Sequence, residues 1–268
     1  MQRPCYVPDP AAEEADARES LNGFVFWQLF PTRLIEDNRP VRDHDATTYP
    51  RYVAAKTMVQ KAALAAELVV APALRQMLAD ARPAIDEVVS AFVGAGLIPE
   101  SERSLLALGL NLWKDGRTVE AIHVLIPRVE DAVRRRLAAV GVTVVVPRPT
   151  GAGGGANAYH VETFDALLSA GERHFPAGYV RILRLLMTSP EGPHLRNRVC
   201  HGIARVRELG PVQADCVVYC LLLVLRLTFE PPPAGADPEN GSGETVPAAA
   251  SQAVANDEPT RNHRSPGG

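Results

Sequence analysis

Residues 117–140 read RTVEAIHVLIPRVEDAVRRRLAAV, and along them Ile122, Leu125, Ile126, Val129, Val133, Leu137 and Val140 recur every three or four positions. That spacing gathers them on one stripe of an α-helix, whereas a strand would scatter them over both faces. Pro127 falls inside the pattern. Its missing N–H frees the carbonyl of His123 and predicts a bend there rather than a stop. Glu130 and Arg134 stand in the favourable i,i+4 order of charges, and with His123 they share a row beside the apolar stripe. Asp115-Gly116 marks the turn before the helix.

Outward from this helix the chain keeps the same period. Helices are expected over 52–78, with Pro72 kinking or dividing it, over 83–93 ahead of Gly94 and Gly96, and over 99–114 with acids in the first turn. Further helices are expected over 164–170, over 176–187 with Val180, Leu183 and Met187 facing inward, and over 212–229 after a break at Gly210-Pro211. Residues 1–18, with Pro4, Pro8 and Pro10, grade from a loose start into a helix. The aromatic cluster Phe24, Phe26, Trp27, Leu29 and Phe30 reads as a short buried helix or as a patch cut from a longer protein. Residues 142–146 are the one good strand candidate, and 147–158, with Gly151, Gly153, Gly154 and Gly155, read as a flexible loop. That loop lacks the Lys-Ser/Thr ending of a phosphate-binding loop, which argues against a nucleoside triphosphate site.

Hydrophobic residues make up 46% of the 268 and aromatics only 6%, a balance that suits Ala- and Leu-rich helices. The expected fold is an all-α helical bundle: an N-terminal helical region over 1–96, a second domain over 97–230, and a disordered tail over 231–268 rich in Pro, Gly, Ala, Ser and acids. No secretory signal is visible, and the apolar run 216–225 is too short to span a bilayer, so the expected location is cytoplasmic with no membrane span. Cys216 and Cys220, one turn apart, make neither a zinc pattern nor a disulfide framework and read as small core residues; no metal and no cofactor is expected. The net charge of −3 disfavours a general nucleic-acid binder. Residues 117–207, however, carry 13 Lys+Arg against 7 Asp+Glu, a local excess that suits a phosphate backbone.

The chemistry concentrates in residues 192–203, Gly-Pro-His-Leu-Arg-Asn-Arg-Val-Cys-His-Gly-Ile. Gly192-Pro193 reads as a stop followed by a helix start, with the helix running on to Glu208. Asn197 and His201, four apart, share a face, and Arg196 is long enough to swing across to it. A guanidinium fork and an imidazole that titrates near neutrality would then meet one phosphodiester, the requirement for attack by a ribose 2′-OH on its own phosphate. Gly202 lets another backbone approach or bends the helix. Spacing alone is cheap, because Arg39 and His44 repeat it, but Pro40 and the polar residues around them favour a turn or an extended segment.

Arg196-Asn197-x-x-x-His201-Gly202 resembles the motif of the HEPN superfamily, and more closely that of the DUF4209 family, in which the signature follows a Leu-Ile-Pro-x-x-Glu helix. Here Leu125-Ile126-Pro127-Arg128-Val129-Glu130 supplies that second piece. The resemblance covers about 97–229, and the family includes an animal endoplasmic-reticulum-associated RNA-degradation protein. It implies an α-helical domain that often forms a homodimer with its sites at the interface. It also implies a metal-independent endoribonuclease, or a non-catalytic module binding a nucleotide or a protein. The expected catalytic residues are Arg196, Asn197 and His201. Glu130 is expected to orient Arg196 or the wall of the site, with Arg134, His123 and Gly202 supporting it and RNA as the partner.

Overall fold

A computed structural model describes residues 6–22, 32–36, 39–45, 47–80, 84–149 and 157–227. They form an all-α bundle of nine helices with two small hairpins at its edge. Helix α1, Pro10–Leu21, starts where Asp9 accepts the N–H groups of Ala11 and Ala12, satisfying two donors that a helix start leaves open. Helix α2 runs over 49–80, as Tyr49–Ala65, then one wide π-helical turn, Ala66–Val70, then Ala71–Asp80. Next come α3, Ala84–Gly94, and α4, Arg103–Lys114, with a 3-10 turn, Glu100–Glu102, before it. Helix α5, Thr118–Ala139, is followed by α6, Phe164–Gly171, α7, Ala177–Met187, the six-residue α8, Leu195–Cys200, and α9, Pro211–Leu227.

Helix α5 is the central pillar, with α4 and α9 packed along it. Of its predicted stripe, Ile122, Leu125, Ile126, Val129, Val133 and Leu137 are buried, and Val140 is half-buried at the C-cap. Each such side chain removed from water contributes about 2 kcal/mol, which decides the face α5 presents. It stays one helix through Pro127. Pro72 does not divide α2 either. The π turn just before it re-phases the backbone, the Ala71 N–H reaching back five residues to the Ala66 carbonyl, so the helix passes a residue that cannot donate. Helix α2 is also long and apolar enough, over Tyr49–Ala79, to cross a membrane by length and composition. Ala54, Ala55, Met58, Ala62 and Val70 from it belong to the core, while Leu64, Leu68, Val69 and Met77 are exposed.

The segment from Tyr6 into α1 is clamped to the bundle by charge and by a missing side chain. Glu13, buried, accepts from the Tyr6 hydroxyl at 2.6 Å and from Lys61 at 2.7 Å, and burial beside that acid pushes the Tyr6 phenol up. A Cβ on Gly178 would lie 2.1 Å from the carbonyl oxygen of Pro8, so only glycine lets this segment lie on α7.

The hairpins correct the expected single strand. Strand β1, Thr32–Glu36, pairs antiparallel with β2, Arg39–His44, and the register slips beside Pro40, which has no N–H for the ladder. Strand β3, Val145–Pro149, pairs with β4, Asn157–Val161, so both ends of the predicted glycine-rich loop are extended. β-branched Val145 and Val146 fit a pleated surface; the partner strand lies beyond a gap that local pattern does not bridge. The aromatic cluster at 24–30 and the tail from 231 fall outside the described residues.

Between α7 and α8 the chain doubles back tightly. A Cβ on Gly192 would sit 1.9 Å from the Leu185 carbonyl oxygen, a backbone atom with no rotamer to retreat into. Gly192→Ala is expected to cost about 3 kcal/mol, read as a lower midpoint in a denaturant melt; an unchanged midpoint would show that the crossing has slack.

Candidate functional site

The helix start at the motif lies later than the sequence suggests. His194, not Pro193, occupies the N-cap, with a left-handed backbone (φ 32°), and α8 begins at Leu195. Among the described residues it is the one non-glycine with positive φ, a conformation that costs an L-residue about 1 kcal/mol or more. The helix end is earlier than expected: α8 stops at Cys200 and does not run to Glu208. Gly202 takes φ 67°, and the N–H groups of Ile203 and Ala204 both return to the Arg198 carbonyl. Gly202 is therefore the left-handed residue that terminates the helix, not a point of close approach, since a Cβ there would meet nothing within 4 Å.

Four of the expected site residues are brought together across 66 positions of sequence. Arg196 donates from Nε to Glu130 Oε2 at 2.9 Å, and Arg134 donates to Glu130 Oε1 at 3.0 Å, so this carboxylate of α5 is shared by two guanidinium groups. Arg196 also donates from Nη1 to Asn197 Oδ1 at 3.3 Å, and Asn197 Nδ2 donates to the Thr188 carbonyl at 3.1 Å. Asn197 thus pins α8 to the end of α7, with its two polar atoms on Arg196 and Thr188 rather than on His201. Asp131 accepts from Arg134 at 3.3 Å and from Arg135 at 2.9 Å. The cluster holds three arginines and two carboxylates and keeps one net positive charge. The Arg196 and Glu130 side chains are 22% and 17% exposed, enough burial for the charges to feel one another strongly and enough access for Arg196 to use its outer Nη atoms.

His201 and His123 are placed differently. The His201 backbone N–H closes the last turn of α8 on the Asn197 carbonyl, and its exposed ring has no hydrogen-bond partner among the described residues. His123, exposed on α5, has Nδ1 2.7 Å from the Val119 carbonyl of its own helix and takes no part in the Glu130 cluster. The alternative pair at Arg39 and His44 is excluded as a solvent-facing site, because His44 is buried with its ring 4.5 Å from that of Tyr52. Among the described residues no group of three His, Cys, Asp or Glu is placed to hold a metal ion. A cavity of about 300 Å³ begins next to the motif, lined by Gly192, Pro193 and Leu195 but by none of Arg196, Asn197 or His201.

Two site contacts escaped the sequence. One is the Thr188 carbonyl, a backbone acceptor with no signature. The other is Glu208, which accepts from Arg198 at 2.5 Å and from the Arg205 N–H at 2.9 Å, folding residues 203–208 back onto α8. The Arg205 N–H, and then Arg198, Arg205 and Arg207, hold the Glu208 carboxyl below its usual range. A depressed carboxylate stabilises its clasp fully above the ordinary glutamate value near 4.5 and loses it as pH falls through the lower folded value. Amide protection at 203–208, taken relative to the intrinsic exchange rate at each pH, is therefore expected to be the same at pH 7 and 5.5 and to fall once the pH drops through the lowered Glu208 value; Glu208→Gln should remove that acid step. No family model, no curated protein and no solved structure matches this chain.

Proposed function

We propose that the protein is a metal-independent endoribonuclease of HEPN type, acting on RNA in the cytoplasm as a homodimer. The observation that carries this reading is the Arg196 guanidinium, held by Glu130 in a net-positive cluster, five residues before an exposed, uncommitted His201 at the end of the same short helix. The likeness of both sequence pieces to the DUF4209 pattern supports it as well. The ribose 2′-oxygen attacks the adjacent phosphorus while its proton passes to a base, and the 5′-oxygen leaves with a proton from an acid. A 2′,3′-cyclic phosphate and a free 5′-hydroxyl result. Arg196 stabilises the charge that grows on the non-bridging oxygens, and Asn197 acts by fixing Arg196 and α8. One chain offers one histidine at the motif where the reaction uses a base and an acid; a two-fold dimer that apposes two motifs supplies both.

A second reading, a non-catalytic module that binds a nucleotide or RNA through Arg196, is favoured by one observation: no protein group among the described residues orients the His201 ring, whereas acid–base histidines are ordinarily held by a partner. Incubation of the purified protein with a mixed RNA pool in EDTA, followed by end-group analysis, separates the two. Cyclic phosphate ends support the nuclease. Retention of intact RNA that depends on Arg196 supports the binder.

A further inference from the structure

The cavity beside the motif has a chemistry of its own. Its wall is formed by α2 (Lys56, Val59, Ala63), the end of α7 (Leu186), the crossing into α8 and the first two turns of α9, with Gln213 and Cys216. Apart from Lys56 and Gln213 it offers hydrocarbon, small backbone turns and a thiol. Burial pushes the Cys216 thiol up to about 12, so it stays neutral.

The two polar side chains are both donors with capacity to spare. Lys56 has its ammonium 5.5 Å from the Tyr52 ring centroid and no carboxylate within ion-pair distance among the described residues. Gln213 Oε1 already accepts from the Gly210 N–H at 3.1 Å. That bond fixes the orientation of the amide and leaves its NH2 without a protein acceptor among the described residues. The positive end of the 17-residue helix α9 borders the same space. A space of about 300 Å³ has room for roughly ten non-hydrogen atoms.

We propose that this cavity binds a small amphipathic carboxylate, its apolar body against Val59, Ala63 and Leu186 and its head on Lys56 and Gln213. The inference goes beyond the ribonuclease reading and does not rest on it, since neither Arg196 nor His201 lines the cavity.

Octanoate and octanol are matched probes for isothermal titration against the full chain. Octanoate is expected to bind at least about tenfold more tightly than octanol, because only the carboxylate uses the cation. Lys56→Gln should bring octanoate down to the affinity of octanol and leave octanol unchanged. Ala63→Phe, which fills the space, should abolish both while helicity by circular dichroism is retained; if that variant unfolds, Val59→Phe gives the same reading. Equal affinity of the two probes for the wild type, no octanoate binding at about 5 mM, or binding that survives in a folded cavity-filled variant would overturn the proposal.

Discussion

His201→Ala is expected to reduce RNA cleavage by about a hundred- to ten-thousand-fold, the span that a positioned proton-transfer group contributes, with no change in melting behaviour. The second half follows from the structure: the ring is exposed and unbonded, and α8 is closed by backbone groups and Gly202 instead. Arg196→Ala should lose cleavage to a comparable degree and also lower stability, by about 1–2 kcal/mol. It leaves Asn197 without one partner, but Glu130 keeps Arg134 on its other oxygen, so no carboxylate is stranded. Arg196→Lys is a sharper comparison. An ammonium offers one point of charge where the guanidinium spans Glu130 on Nε and a phosphate on its outer nitrogens, so cleavage should recover only in small part. Cleavage unchanged in His201→Ala would take His201 out of the chemistry and end the HEPN-type nuclease reading.

An effect on stability as large as that of Gly192→Ala is expected from Asp215→Ala. Asp215 lies buried in α9, accepting from Trp113 Nε1 of α4 at 2.7 Å and from Arg75 of α2 at 2.6 Å, and the Arg75 guanidinium lies 4.5 Å from the Trp113 ring centroid. Burial raises the Asp215 carboxyl above its usual range, against the pull of Trp113 and Arg75. Truncation leaves the Trp113 N–H buried with no acceptor and opens a small void, for a total cost of about 3 kcal/mol. Arg75, at 37% exposure, regains water and adds little to that loss. Asp215→Asn keeps an oxygen for the indole and should cost about 1 kcal/mol. Adding Trp113→Phe to Asp215→Ala should cost less than the two separate losses combined, since the stranded donor is gone. Strict additivity in chemical denaturation would show that the indole and the carboxylate are not coupled.

What the sequence disclosed and what it hid divide along the range of the interaction. The buried stripe of α5, the breaks at Asp115-Gly116 and Gly210-Pro211, and the inward face of α7 at Val180, Leu183 and Met187 were legible because they are properties of a few neighbouring residues. The pairing of Arg196 with Glu130 was legible as one of two choices, Arg196 or Arg134, for a half-buried carboxylate, and the structure uses both. The Asp215 knot spans 102 residues to Trp113 and 140 to Arg75, and nothing in local pattern announces it. Gly202 shows a different difficulty. Glycine after a histidine fits a bend, a close approach or a helix terminus, and the left-handed backbone that decides among them depends on where the following residues turn. The same holds for His194, whose left-handed backbone opens α8 two residues after the Gly192 crossing.

The π turn in α2 has a reach beyond its five residues. One extra residue in a turn rotates everything after it by about 100° relative to a regular helix. The first half of α2 lays Ala54, Ala55, Met58 and Ala62 in the core, and the one-residue offset keeps Val70, Leu74 and Leu78 of the second half turned towards that core where regular winding would have carried them away. Arg75 owes its aim at Asp215 to that offset. Excising a single residue between Ala66 and Val70 would restore regular winding and carry the guanidinium a quarter-turn off its carboxylate, so the length of this segment is as much a part of the Trp113 pocket as the side chains that line it.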